Sequence, residues 1–378
     1  MTPSNRPSLR ELSLVFLKLG TTAFGGPAAH IAMMEAEFVR RRQWLSAEEF
    51  ADRLAAANLI PGPSSTELAI FIGYTKRGWL GLIAAGGCFI IPAAVLVSLI
   101  AAAYVHYGAL PQLEGVLYAI KPVVIAIVAQ ALWSLARTSV KTTFLELLAV
   151  ACVVLSASHI DPLIILACAG AASGLFIAIR QRPRQSVFLP PMYTISFAIG
   201  TAAGTAVSIA GLFLSFLKIG AVVFGSGYVL LAFLRAEFVT RLHWLTERQL
   251  IDAVAVGQFT PGPVFTTATF IGYILAGIPG AIASTVAIFL PGFLLVAISG
   301  PLIPRIRRSP LAGAVLDGVV VGSVSLMAVV AWQLARAAIV DRLTLSLAAV
   351  SLLLLIRFRL SSVWLILGAA LVGWIART

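Results

Sequence analysis

Glycine and proline interrupt this chain at four matched places, and each interruption sits beside residues suited to holding an anion. Phe24-Gly25-Gly26-Pro27 is answered by Phe224-Gly225-Ser226-Gly227, and Pro61-Gly62-Pro63 by Pro261-Gly262-Pro263. Glycine lets the backbone enter left-handed or close-approach conformations, and proline favours the first turn of a new helix. The motifs therefore predict half-helices that begin inside the protein. A helix N-terminus offers unpaired N–H groups and the positive end of the dipole, which together attract anions. Ser64, Ser65, Thr66, Thr266 and Thr267 add hydroxyl donors, and Asn58 and Gln258 place amides just before the Pro-Gly-Pro turns. Lys18 and Lys218 stand six residues ahead of Phe24 and Phe224 in otherwise apolar runs. Such a charge marks a ligand pathway, or else its stem reaches back to a water interface. The candidate ligand-binding set is Lys18, Phe24, Gly25, Gly26, Asn58, Pro61, Gly62, Pro63, Ser64 and Ser65, with Lys218, Phe224, Gly225, Ser226, Gly227, Gln258, Pro261, Gly262 and Pro263. The competing reading is a kink or tight glycine packing between helices; two motifs, each present twice, favour a central ligand site.

A second set of charges suits gating or coupling. Glu37 with Arg41, and Glu237 with Arg241, have the i,i+4 spacing of helix-surface ion pairs. Trp44 and Trp244 follow as interfacial anchors. These pairs serve either as a gate or as the fixed base of a hairpin. Asp52 and Asp252 are matched acids that either pair with a base or relay protons. Lys121 and Asp317 lack charged counterparts (Val320 and Tyr118 occupy the matched positions), and the expectation is that they pair across the two halves. Cys88, Cys152, Cys168 and the four histidines show no ligand spacing, so neither metal nor cofactor is expected. His30 is matched by Leu230 and His243 by Gln43, which sets both outside the repeated machinery. No HExxH, Ser-His arrangement or GxxxxGK[ST] appears, which argues against an enzyme or an ATP-driven pump.

The elements that position these residues follow from composition. Apolar residues make up 60% of the chain and charged residues 11%, against about 25% charged in soluble domains. Long uncharged runs predict an all-α polytopic membrane protein. The net charge of +12 gathers in short loops and reads as a positive-inside bias, not as a nucleic-acid surface. The first apolar segment belongs to the repeat and is expected to be structural, not a cleavable leader.

Phe16-Leu17-Lys18-Leu19-Gly20 returns as Phe216-Leu217-Lys218-Ile219-Gly220, and Phe71-Ile72-Gly73-Tyr74 as Phe270-Ile271-Gly272-Tyr273. The chain divides into an N-terminal repeat (1–184), a linker (185–207) and a C-terminal repeat (208–378). Full spans are expected near 80–103, 116–136, 143–158 and 162–179, and again near 279–300, 312–335, 343–356 and 360–376. Residues 8–42 and 46–76, with 208–242 and 246–275, read as re-entrant or broken-helix hairpins. Lys76-Arg77 is basic where Ile274–Pro279 is uncharged, while Arg305, Arg307 and Arg308 are basic where Tyr104–Gly115 is not. Equivalent loops then face opposite sides, giving inverted-topology repeats. Inversion requires one further span between the halves, expected at 187–204.

Phe24-Gly25-Gly26-Pro27, Glu37-Phe38-Val39 with Trp44-Leu45, Asn58-Leu59-Ile60-Pro61-Gly62-Pro63 and Phe71-Ile72-Gly73-Tyr74, repeated in order in the second half, together resemble the chromate ion transporter (CHR) family in its long two-domain form. The resemblance implies a multi-pass inner-membrane secondary transporter that expels chromate, with halves of opposite orientation. It implies a small oxyanion as ligand, with sulfate as competitor or alternative substrate for an importer or channel. The remaining expected partners are the lipid bilayer and, beyond a monomer, a second copy in a homodimer; no nucleic acid is expected.

Overall fold

The computed structural model describes residues 7–24, 26–107, 111–158, 160–180, 207–224, 229–299, 309–358, 360 and 362–376. The described secondary structure is all helical, as the composition requires. Helix α1 (Leu9–Thr22) opens where the Ser8 hydroxyl accepts the Glu11 N–H. Helix α2 (Gly26–Glu35) continues into a π-helical turn (Ala36–Arg41) and returns along α1. Phe38 packs on Phe16 with ring centroids 5.1 Å apart, and Arg42 reaches Glu11 at 2.5 Å, which fixes the first hairpin.

Helix α3 (Ala47–Ala57) starts in a capping box between Ser46 and Glu49 and stops before Pro61. At 11 residues it reaches only about 16 Å, half a bilayer core. Helix α4 (Ser64–Tyr107) begins just after the Pro-Gly-Pro turn and folds back on itself at Arg77 and Gly78, where φ is 60°. The two arms touch through glycine: a Cβ on Gly73 would lie 2.3 Å from the Gly81 carbonyl oxygen. The short arm of α4 and α3 make the second expected hairpin, and the long arm supplies the expected span at 80–103.

Helices α5 (Pro111–Ser139), α6 (Thr143–Ala157) and α7 (Pro162–Arg180) complete the first half. The second half repeats the order: α8 (Ile209–Val222), α9 (Leu230–Leu234) with a π-helical turn (Arg235–Arg241), α10 (Glu247–Phe259), a 3-10 turn (Val264–Thr266), α11 (Thr267–Ser299), α12 (Pro310–Ala338), α13 (Arg342–Phe358) and α14 (Ser362–Ala376). Helix α11 folds back at Ala276 and Gly277, where φ is 63°, as α4 does at Gly78. Of the described helices, those covering Ser64–Tyr107, Gly115–Ser139, Pro162–Arg180, Val264–Ile298 and Pro310–Ala338 are long and apolar enough to cross a membrane. Thr143–Ala157 and Ser362–Ile375 are apolar but shorter. The expected span at 187–204 lies outside the described residues.

Packing exchanges elements between the halves. Helices α6 and α7 lie on α12 of the second half, and α13 and α14 lie on α5 of the first. Small residues permit the close approach. A Cβ on Gly318 would meet the Ala169 carbonyl at 2.3 Å, and one on Gly373 the Gly115 carbonyl at 2.2 Å. Within each half, α1 packs on α4 and α8 on α11. There Gly20 faces the Phe89 carbonyl and Gly220 the Ile288 carbonyl. A hydrophobic interior of one half is thus completed by helices of the other.

Candidate functional site

The interrupted motifs meet where the two halves cross. The Gly62 N–H donates to the Val223 carbonyl at the end of α8, 2.7 Å away, and the Gly262 N–H donates to the Ala23 carbonyl at the end of α1, 2.9 Å away. Each Pro-Gly-Pro turn thereby closes on the opposite half. Gly62 has φ 132° and Gly262 φ 90°, conformations costly for a residue with a Cβ. Space excludes one as well: a Cβ on Gly262 would sit 2.7 Å from the Ala93 Cβ.

Two short helical segments start at this crossing, the α4 arm at Ser64 and the 3-10 turn at Val264. Ser64, Ser65 and Thr66 are buried there. The second-half hydroxyls turn inward on their own backbone, Thr266 to the Pro263 carbonyl and Thr267 to the Val264 carbonyl, each at 2.8 Å. They are therefore not the free donors their sequence position suggests. Gly26 is described, with φ 77°. Gly25, Gly225, Ser226 and Gly227 lie outside the described residues. Phe24 is exposed, Phe224 half-buried, and Asn58 is an exposed cap on α3. Gln258 is buried beside Val264 and Thr267. Pro61, Pro63, Pro261 and Pro263 hold the turns.

The lysines separate. Lys18 is exposed. Lys218 lines a cavity of about 360 Å³ between α8, the Arg235–Arg241 turn, α12 and the start of α7. Arg235, Arg241, Glu237, Asp161 and Gln333 also line it. Glu237 is buried: Ser215 donates to it at 3.0 Å, Arg241 binds it, and Lys218 Nζ lies 3.5 Å away. Arg235 pairs with Glu247 at 2.5 Å. The lining thus carries three cations and two carboxylates, and with Glu247 on Arg235 the charges balance three against three.

Glu37 and Arg41 form the expected pair at 2.9 Å, and Arg42 adds a second contact at 2.6 Å. Burial opposes ionisation of Glu37, but Arg42 and Arg41 outweigh it and hold its carboxyl below the usual carboxylate range. The matched acids also separate: Asp52 is exposed, whereas Asp252 is fully buried. Lys121 on α5 lies 3.1 Å from Asp252 on α10, and Tyr104 on α4 donates to Asp252 at 3.0 Å. The expected pairing of Lys121 with Asp317 is thus replaced by one with Asp252. The reason is placement: the α10 carboxylate is fully buried, and the Lys121 ammonium is the cation that α5 brings beside it.

Two residues at the crossing carry no signal in the repeat. His30 is 1% exposed; its Nε2 lies 3.1 Å from the Ala23 carbonyl and its Nδ1 3.3 Å from the Ser65 hydroxyl. A carbonyl only accepts, so Nε2 carries the proton and Ser65 donates to Nδ1. Histidine thus ties the first Gly-Pro break to the start of α4, although its counterpart is Leu230. Glu67 is 1% exposed on the first turn of α4. Its only visible signal was an acid, Ser65-Thr66-Glu67, with no acidic partner in Thr266-Thr267.

A crossing of broken helices in a chain of apolar spans, with a cavity lined by Lys218, Arg235 and Arg241, suits passage of a small anion between two half-units. Comparisons with known proteins agree. The chromate transporter family model matches twice, over residues 10–175 and 210–374. The chain is 35% identical to the chromate transport protein of Cupriavidus metallidurans, over 98% of this chain and 93% of that one. It is 33% identical to a probable chromate transport protein of Synechococcus elongatus (92% and 89%) and 29% identical to the chromate transport protein of Pseudomonas aeruginosa (97% and 92%). No solved structure matches the chain. The chain therefore belongs to the chromate transporter family, as a multi-pass membrane transporter and not an enzyme.

Proposed function

We propose that this protein is a secondary active transporter that exports chromate across the inner membrane, driven by membrane potential, proton gradient or both. The observation that carries this reading is the crossing, where Gly62 and Gly262 each hydrogen-bond the opposite half. Rocking one half against the other breaks those two bonds and opens the helix starts to an anion, the arrangement alternating access needs. The cavity lined by Lys218, Arg235 and Arg241, on the same helix α8 whose end meets Gly62, supplies groups that can bind an anion. Chromate as cargo comes from the names of the relatives. Export of a dianion from a compartment negative inside is downhill by about 2.3 kcal/mol per charge per 100 mV.

The exchange of α6 and α7 for α13 and α14 supports two halves related by a pseudo-two-fold axis. With the basic bend at Lys76-Arg77 and the uncharged bend at Ala276-Gly277, it supports opposite orientations. Single cysteines at the two bends should label from opposite sides of the membrane; labelling from one side contradicts inversion.

The function is tested by chromate accumulation in cells with and without the protein. Export lowers accumulation, and equal accumulation contradicts it. A rise points to the second reading, an importer or channel for sulfate or another small oxyanion. The cavity's cations would select charge and hydrogen bonding, which sulfate shares with chromate.

A further inference from the structure

Glu67 stands at the crossing without a charge partner among the described residues. Among the described residues its Oε2 has no hydrogen-bond partner, and the side chain is buried. Its Oε1 is lodged between the turn of its own half and the partner half's long helix. A Cβ on Gly62 would lie 2.0 Å from that oxygen, and one on Gly292 would lie 2.7 Å from it. Glycine at both positions makes the room. The other crossing is built differently: Ala93, at the position matching Gly292, fills the space against Gly262, and threonines stand in place of Glu67.

Among the described residues, the surrounding elements bring no cation to Glu67. On α2, His30 faces the same turn, but both its nitrogens are engaged, by Ala23 and Ser65. Glu35 on α2 pairs with Arg40. On α1, Lys18, Arg10 and Glu11 are exposed. On α3, Glu48 and Asp52 are exposed, Glu49 caps Ser46, and Arg53 contacts Thr75. On α10, Glu247 pairs with Arg235 and Asp252 with Lys121, while Arg248 lines a second cavity, between α5, α10 and α12, together with Lys121. The 3-10 turn holds no titratable residue and α11 only Tyr273. On α4 itself Lys76 contacts the Trp44 carbonyl, Arg77 the Pro7 carbonyl and Tyr104 Asp252, while His106 and Tyr107 lie at the far end.

An ionised carboxylate in that dry gap would carry its full desolvation penalty with nothing to offset it. The form compatible with the closed crossing is the neutral acid. When the crossing opens, a dianion entering the same space repels an ionised Glu67 and so favours the protonated one. Binding of anion and proton is then reciprocal, each raising the affinity for the other. Resting on the oxyanion-transport reading, we propose that Glu67 is a proton-binding site whose proton travels with the anion in the same direction. The carboxyl oxygen takes the proton from the side where the dianion enters and releases it where the dianion leaves. One dianion and one proton carry one net negative charge across per cycle. Membrane potential still drives the pair outward, but an acidic exterior opposes it.

Infrared difference spectroscopy of the protein in lipid membranes tests the proton site directly. Wild-type protein at neutral pH should show a protonated-carboxyl band that Glu67→Gln lacks, and adding chromate at alkaline pH should restore that band with proton uptake. An identical band in both proteins, or no proton uptake on adding chromate to protein that transports it, overturns the proposal. A band assigned to Glu67 in protein that neither binds nor moves chromate or sulfate retains the proton site and overturns the joint passage, together with the oxyanion reading. In liposomes with a trapped pH dye, wild-type chromate flux should carry protons and slow when the receiving side is acidified. Glu67→Gln should carry chromate without protons and lose that pH dependence. Retained proton movement in Glu67→Gln sinks the assignment. Gly292→Ala, which crowds the carboxylate without removing it, should weaken the chromate-linked proton uptake; unchanged uptake counts against this placement of the proton.

Discussion

The two halves share a scaffold and differ in what they bury. In the first, Asp52 and Lys18 face outward, Glu37 is held by two arginines, and the crossing contains His30 and Glu67. In the second, Asp252 is sealed against Lys121 and Tyr104, Lys218 enters a cavity with Glu237, and Thr266 and Thr267 at the crossing turn their hydroxyls on their own backbone. Duplication supplied two copies of the hairpins, and substitution then assigned them separate work. The Pro-Gly-Pro turns that shape the crossing are kept in both copies; His30 and Glu67 beside it are not.

The largest break in this comparison is expected at Asp252. Lys121→Ala leaves that carboxylate buried and unpaired and should cost about 3–5 kcal/mol of stability. Lys121→Ala with Asp252→Ala together should recover most of the loss, and Asp52→Ala should stay within about 0.5 kcal/mol. Thermal unfolding of the four proteins in detergent measures the difference, and equal effects at Asp52 and Asp252 would erase the asymmetry. Next comes the crossing itself. Gly262→Ala must push the Ala93 methyl at a positive φ, costing about 1–3 kcal/mol, and should abolish transport. Gly62→Ala carries the same positive-φ strain but meets the end of the Glu67 side chain, which can shift more readily than the Ala93 methyl on its helix, so its loss of transport should be smaller. Flux assays of both variants rank them.

Lys218→Ala should lower chromate flux by about tenfold, equivalent to about 1.4 kcal/mol of lost interaction. Lys18→Ala should change it little, because Lys18 lies outside the cavity. Equal losses would return both lysines to one symmetric role. The smallest effect concerns Glu37. Its carboxyl is held below its ordinary value of 4.5, so its ion pairs add stability above that pH and lose it as pH falls through the lower folded value. Unfolding midpoints of wild type and Glu37→Gln should differ at neutral pH and converge in acid.

Much of this was legible in the sequence because backbone geometry dictates residue type. Gly62 and Gly262 sit at positive φ, and a repeated glycine between two prolines announces such positions, whereas Gly78 and Gly277, with no adjacent proline, show in the sequence only as loops. Hairpins 8–42 and 46–76 were readable from the length of their apolar runs. The exchange of α6 and α7 with α13 and α14 was not, since apolar faces of similar composition do not specify which neighbour covers them. Glu67 escaped because the repeat slips by one residue between Pro63 and Phe71, where it lies. His30 escaped because its role requires the Ala23 carbonyl and Ser65, and the fold alone brings these together. Lys121 was visible as unmatched, but its partner depended on Asp252 being buried while Asp52 is not.

On this reading an oxyanion passes between the halves where the two Pro-Gly-Pro turns cross. Labelled chromate flux in proteoliposomes at a set membrane potential reads that passage. The prediction is movement out of the negative compartment at a rate that rises with potential, is competed by sulfate and is lost in folded Gly262→Ala. Folded wild-type protein that moves neither anion at any potential, or a Gly262→Ala variant that transports normally, would contradict it.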